Sequence, residues 1–274
     1  MKTKSSLMEN LEAMFATIMI PVALGIALLI YFFVLGNPAN FEGGTNEGHP
    51  INNLGIVFKG GLVVPVIIST LLIVIIFSLE RFLTIAKASG KQRGDKFIRI
   101  VKDHLNDGNA FKAIAACDDQ KGSVANVVKS VLKKYEEIEA DPEASKEQKV
   151  LSIQKEVEEA TTIEIPMLQK NLIILSTVAS IATLLGLLGT VFGMITAFKA
   201  LAAAGAPDAL ALANGISEAL INTAFGIGTS AVAIIMYNLF NTKIEKLTFY
   251  MDEVGFIITQ TFASNYPNKR LNHK

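Results

Sequence analysis

Residues 171–198 read NLIILSTVASIATLLGLLGTVFGMITAF and hold no charged side chain. As a helix rising 1.5 Å per residue, this stretch reaches about 40 Å, more than the roughly 30 Å hydrocarbon core of a bilayer. Three more such runs lie outward from it. The run from 209 to 242 carries a single charge, Glu218. Residues 60–79 read GGLVVPVIISTLLIVIIFSL and are closed by Glu80 and Arg81. Residues 14–36 read MFATIMIPVALGIALLIYFFVLG. That last run exceeds the about 7–15 apolar residues of a signal peptide, and no small-residue cleavage pattern follows it. It reads as a span, which Pro21 is expected to kink. The expected fold class is all-α: a polytopic membrane protein with about four transmembrane helices.

Composition agrees with this reading. Of 274 residues, 51% are hydrophobic and 18% charged, against about 25% charged in a soluble domain. Lys plus Arg number 25, as do Asp plus Glu, so the basic footprint of a nucleic-acid binder is missing. Cys117 is the single cysteine and can form no intramolecular disulfide. His49, His104 and His273 have no metal-ligand spacing to it or to one another. No catalytic set, cofactor or metal is expected.

The basic residues orient the spans. Residues 84–170 hold 15 of the 25, the end from Lys243 onward holds five, and the N-terminal segment carries Lys2 and Lys4. The 37–59 loop has only Lys59, and the 200–210 loop has none. Both termini and the long 84–170 segment are therefore expected in the cytoplasm, with the two short loops outside. The organisation reads as an N-terminal span over 1–36, a periplasmic loop over 37–59 and a second span over 60–83. A cytoplasmic helical domain over 84–170 follows, then a span over 171–199, a loop over 200–210, a span over 211–242 and a cytoplasmic helix and tail over 243–274.

The 41–55 stretch, FEGGTNEGHPINNLG, is rich in Gly and Asn and reads as irregular. In the charged segment, Phe97, Ile98, Val101 and Leu105 recur at helical spacing, and a turn follows at 106–108. Val124, Val127, Val128, Val131, Leu132, Tyr135 and Ile138 form a second stripe, ended by Asp141-Pro142. A third begins near Ser145 with Val150, Ile153, Val157 and Ile165, and runs past Pro166 into the membrane. A continuous helix over 146–200 would be about 80 Å long. Residues 243–263 extend the fourth span in the same manner.

The 171–198 run is rich in small residues: Ser176, Ser180, Gly186, Gly189 and Gly193. Gly189 and Gly193 fit the small-xxx-small pattern that lets helix backbones approach. Thr183 and Thr190 are seven apart and share a face. Thr223, Ser230 and Tyr237 repeat that spacing in the last run. Two readings stand for these hydroxyls: bonding back to their own helix, or lining a hydrated pore. Glu218 also has two readings. A carboxylate at bilayer depth seeks a cavity or a partner, whereas one near a loop reaches the interface.

The motifs GLLGTVFGMITAF at 186–198 and NGISEALINTAFGIGTSAVAIIMYNLF at 214–240 together resemble the MotA/TolQ/ExbB proton-channel family, and within it the ExbB type. Glu80-Arg81 resembles the Glu-Arg that ends the family's first shared span, so the resemblance covers about 60–249. It implies a homopentameric ring with the last two spans of each copy facing a lumen. Two copies of a single-span ExbD-like partner would pass through that lumen and carry the titrating Asp. Thr190 and Thr223 match the family's pore threonines, and Glu218 matches its pore glutamate. Thr183, Ser180 and Ser230 extend that set by helical spacing alone. The transported ion is the proton, with membrane lipid around the ring and a TonB-like transducer as output in the bacterial inner membrane. A TolQ-like envelope role, a MotA-like motility role and a non-conducting scaffold are the alternatives. The 14–36 span departs from the family's usual three-span pattern.

Overall fold

The structure, a computed structural model, describes the backbone of residues 2–46, 48–139, 144–202 and 209–265, and side chains from 15 to 264 within those. The Asp141-Pro142 break, most of the 200–210 loop, the tail beyond 265 and the Lys2 and Lys4 side chains lie outside the described residues. Among the described residues the chain is helical: α1 (Lys2–Leu29), α2 (Asn53–Phe58), α3 (Val63–Ala88), α4 (Gly94–Asn106), α5 (Ala110–Gln120), α6 (Gly122–Glu139), α7 (Lys146–Gln169), α8 (Leu172–Ala202) and α9 (Ala209–Asn265). Only an isolated bridge, Phe41 to Pro50, pairs extended backbone among them. Four stretches are long and apolar enough to cross a membrane: Phe15–Leu35, Val63–Ala88, Lys146–Ala202 and Ala209–Ser264. The chain is a multi-pass, all-α membrane protein. It divides into two compact units, Met1–Glu80 with Asn171–Asn238, and Arg81–Lys170 with Leu239–Lys274.

In the first unit, Ala23, Ala27, Tyr31 and Leu35 recur every fourth residue and are buried. They form the inward stripe of the N-terminal span. The ring of Phe15 meets that of Phe77 edge-on at 5.6 Å, while Tyr31 and Leu35 cluster with Val64. The span therefore runs antiparallel along α3. Pro21 lies inside an uninterrupted α1. The departure from α geometry comes later, as a π-helical turn over Ile30–Leu35, closed by Gly36 N–H donating to Tyr31 O.

In the corner between α1 and α3, the described residues of the 41–55 stretch, expected to be irregular, hold a short turn at Glu42–Gly44, an isolated bridge from Phe41 to Pro50 and the start of α2. Asn40 is buried; its Nδ2 donates to Val34 O at 2.8 Å and Leu35 O at 2.9 Å. Its Oδ1 accepts from Asn52 Nδ2, and Asn52 caps α2 by accepting from Gly55 N–H. Asparagine thus serves here as a cap and a tie, two uses that the same composition also offers a loop.

The helix expected to be continuous over 146–200 is broken. α7 ends at Gln169 and α8 begins at Leu172, with Asn171 between them at φ 63°. Asn tolerates the left-handed region better than other residues with a Cβ, and its Nδ2 lies 3.5 Å from Glu80 Oε2. α9, in contrast, runs unbroken for 57 residues.

In the second unit, the stripes of α4 and α6 are buried as their spacing requires. α7 starts with a capping box between Ser145 and Gln148. Asn126 and Ser130 on α6 donate to Glu164 and Glu156 on α7. Arg81 is 2% exposed, and its Nη1 donates to Met167 O and Leu168 O. A cation thus meets the partly negative carbonyl end of α7.

Candidate functional site

α8 and α9 meet through glycine. A Cβ added at Gly193 would stand 2.7 Å from Gly215 O, and one at Gly226 would stand 2.7 Å from Ala182 O. Neither position has room for a side chain, so the two backbones touch along the seam. Ser230 Oγ strengthens it by donating to Ala179 O at 2.6 Å. Ser230 is buried, so its hydroxyl serves this seam.

Thr223 sits on the edge of the same seam. Its Oγ1 bonds to Ala219 O at 3.2 Å in its own helix and reaches Gly186 O at 3.5 Å across it. Thr183 and Thr190 stand three residues before and four after Gly186. They lie about 20° apart around α8 at 100° per residue. Thr190 Oγ1 bonds back to Leu187 O at 2.6 Å. All three threonines are half-buried, and Ser180 is exposed on α8. Three of the six expected residues thus gather around the Gly186 turn.

Glu218 lies apart from them. Five residues separate it from Thr223, which turns it about 140° around the α9 axis. Its side chain packs on Gly61: a Cβ added there would stand 3.1 Å from Glu218 Cδ and closer still to Oε1. No hydrogen bond or ion pair reaches its carboxylate among the described residues. One turn on, Asn222 is fully buried, and its Nδ2 donates to Gly60 O at 2.7 Å. Its Oδ1 has no partner among the described residues. Asn222 also fills the space that Gly189 leaves open on α8. Sequence reasoning missed this residue. The available signal was an amide in an apolar run, one helical turn from the lone acid. No group of three or more metal-ligating side chains forms among the described residues.

Comparison with known proteins points to one family. Residues 120–253 match the MotA/TolQ/ExbB proton channel family. The Tol-Pal system protein TolQ of Pseudomonas aeruginosa is 26% identical over 162 residues, 59% of this chain and 70% of that protein. TolQ of Haemophilus influenzae is 38% identical over 84 residues, 31% of this chain and 37% of that protein. The biopolymer transport protein ExbB of Xanthomonas campestris pv. campestris is 30% identical over 112 residues, 41% of this chain and 44% of that protein. The chain thus spans less than half the length of the last two. The family match takes in α8 and the greater part of α9. It leaves out the N-terminal span, the corner and Glu80-Arg81.

Proposed function

We propose that this chain, a member of the MotA/TolQ/ExbB proton channel family through residues 120–253, is the ring subunit of a motor driven by the proton gradient across a bacterial inner membrane. Five copies form the ring, with α8 and α9 of each facing the lumen. A dimer of a single-span, ExbD-like partner occupies that lumen and supplies the titrating Asp. Each proton that moves down 100 mV releases about 2.3 kcal/mol. Protonation neutralises the partner Asp and lets it pass the apolar ring surface. Thr183, Thr190 and Thr223 line the hydrated path, with Ser180 on the exposed face beside it and Glu218, nearer the start of α9, as its carboxylate.

One observation carries this reading: the three threonines flank a single seam turn at Gly186, while the rest of that contact is glycine and alanine with Ser230 and Asn222. A hydroxyl bonded to its own helix stays neutral in lipid and still offers a lone pair to water. The output we favour is energy delivered to a TonB-type transducer for outer-membrane uptake. A Tol-Pal output is the second reading, favoured by the alignment that covers 70% of a TolQ protein.

The test is proton flux in membrane vesicles that hold the complex. T190V and T223V keep side-chain shape and remove the hydroxyl. Each should cut flux by about tenfold or more, the loss of one well-placed polar group, with assembly unchanged. The detergent-purified complex should weigh as five copies of the 29.5 kDa chain with two copies of a small partner. Full flux in both variants would refute the pore assignment. A mass without the partner would refute the motor.

A further inference from the structure

We infer that the Gly60–Gly61 corner, held by the added N-terminal span, is a seat that positions Glu218 on α9. This rests on the proton-path reading above and gives the extra span a part in it. Gly61 has φ 76°, a conformation that L side chains rarely adopt, and the Glu218 side chain occupies the space where a Cβ would be. Asn222, one turn further along α9, holds the preceding carbonyl, Gly60 O, at 2.7 Å. Two side chains four apart on one helix thus grip two consecutive glycines. The grip fits closely on the other side too, where a Cβ at Gly60 would stand 3.2 Å from Ile221 Cγ2.

The seat is anchored to the N-terminal span, and through Asn222 it also meets the seam at Gly189. Tyr31 Oη donates to Phe58 O at 3.1 Å, and the two rings stack at 4.7 Å. Gly61 N–H in turn donates to that same Phe58 O, at 3.2 Å. Phe41 meets Phe58 edge-on at 5.5 Å. A short path therefore runs from Tyr31 through one carbonyl to the residue beneath Glu218. Glu218 is turned away from the Thr223 edge of α9, so its place is set by this corner and not by the α8 contact. Tyr31, Gly61 and Asn222 are positioning residues, and none of them needs to touch a proton.

A control for backbone strain exists within the chain. Gly43 has the same φ of 76°, but a Cβ there would meet nothing within 4 Å. G61A and G43A therefore impose the same strain, and only G61A pushes on Glu218. In the full complex, G61A should lower proton flux about tenfold below G43A, the effect of overpacking by one methyl. E218D shortens the acid by one methylene. The double variant G61A/E218D should recover flux to within about threefold of E218D alone. Difference infrared spectra give a readout that is independent of flux. The Glu218 carboxyl band, assigned by its loss in E218Q, should shift in G61A and stay in place in G43A. An unmoved band, or equal flux in G61A and G43A, overturns the seat. So does a double variant whose losses simply multiply. A band that shifts in G61A, found together with a wild-type complex that carries no protons, supports the seat and refutes the proposed function.

Discussion

Cys117 sits at the 2% level of exposure, and its Sγ donates to Ala113 O at 3.2 Å. Burial, and after it the charge of Asp118, pushes the thiol up to about 12. At pH 8 only about one molecule in ten thousand carries the thiolate, the reactive form. Maleimide should modify Cys117 about a thousandfold more slowly than an exposed thiol at that pH, and the rate should climb about tenfold per unit up to pH 11. Rapid labelling at pH 7 would contradict its burial. The sign for stability follows from linkage. The folded value lies above the unfolded one, so the contribution is complete below the unfolded value and is lost as pH rises towards 12. Individual residues differ in how far the sequence reveals them. Glu218 is conspicuous because a charge in an apolar run is costly. Asn222 is more deeply buried and equally fixed, yet an amide carries no formal charge and does not stand out by that rule. Ser230 and Thr223 share a spacing of seven, but only the packing separates the buried seam bond of one from the half-buried edge position of the other.

The α8–α9 seam is an element-scale device. Its glycines matter as a row: each removes a side chain where the opposing backbone passes. Gly226→Val would drive methyl groups into Ala182 O and the Gly186 backbone. Overpacking of this kind costs about 1–3 kcal/mol. Thermal unfolding in detergent should show that loss, and Gly228→Val is the control, since a Cβ there meets nothing within 4 Å. Equal melting of the two variants would mean that the seam is not close-packed. The stripes of α4 and α6 are legible in the sequence because their apolar and polar faces alternate cleanly at helical period. α5 shows little such contrast, so its spacing does not mark it as a helix. The break at 170–171 was hidden for a different reason. Pro166 lies within α7, where it looks like the natural stop, yet the helix ends at Gln169. The stop is set by the backbone of Lys170 and Asn171, and although asparagine favours such a stop, it also occurs inside helices, as Asn222 does in α9, so its presence alone does not mark one. Pro21 misleads in the same way, since α1 passes through it and the π turn follows nine residues on.

At the scale of the whole chain, charge distribution is the feature that bears on orientation. Residues 84–170 carry 15 basic and 15 acidic side chains, so the segment is neutral as a unit and yet far too charged to enter lipid. The corner between α1 and α3 is nearly free of basic residues. The positive-inside rule counts only Lys and Arg near the spans and assigns these two regions to opposite sides. The inertness of Cys117 makes this directly measurable without removing the native thiol. T45C lies on the exposed corner, and K102C on the exposed face of α4. In intact spheroplasts a membrane-impermeant maleimide should label T45C and spare K102C. After lysis it should label both, and the wild-type chain should stay unlabelled throughout. Labelling of K102C from outside would invert the topology. That result would also place the Glu218 seat at the cytoplasmic side of the membrane rather than the outer one, and the short 37–59 loop with it.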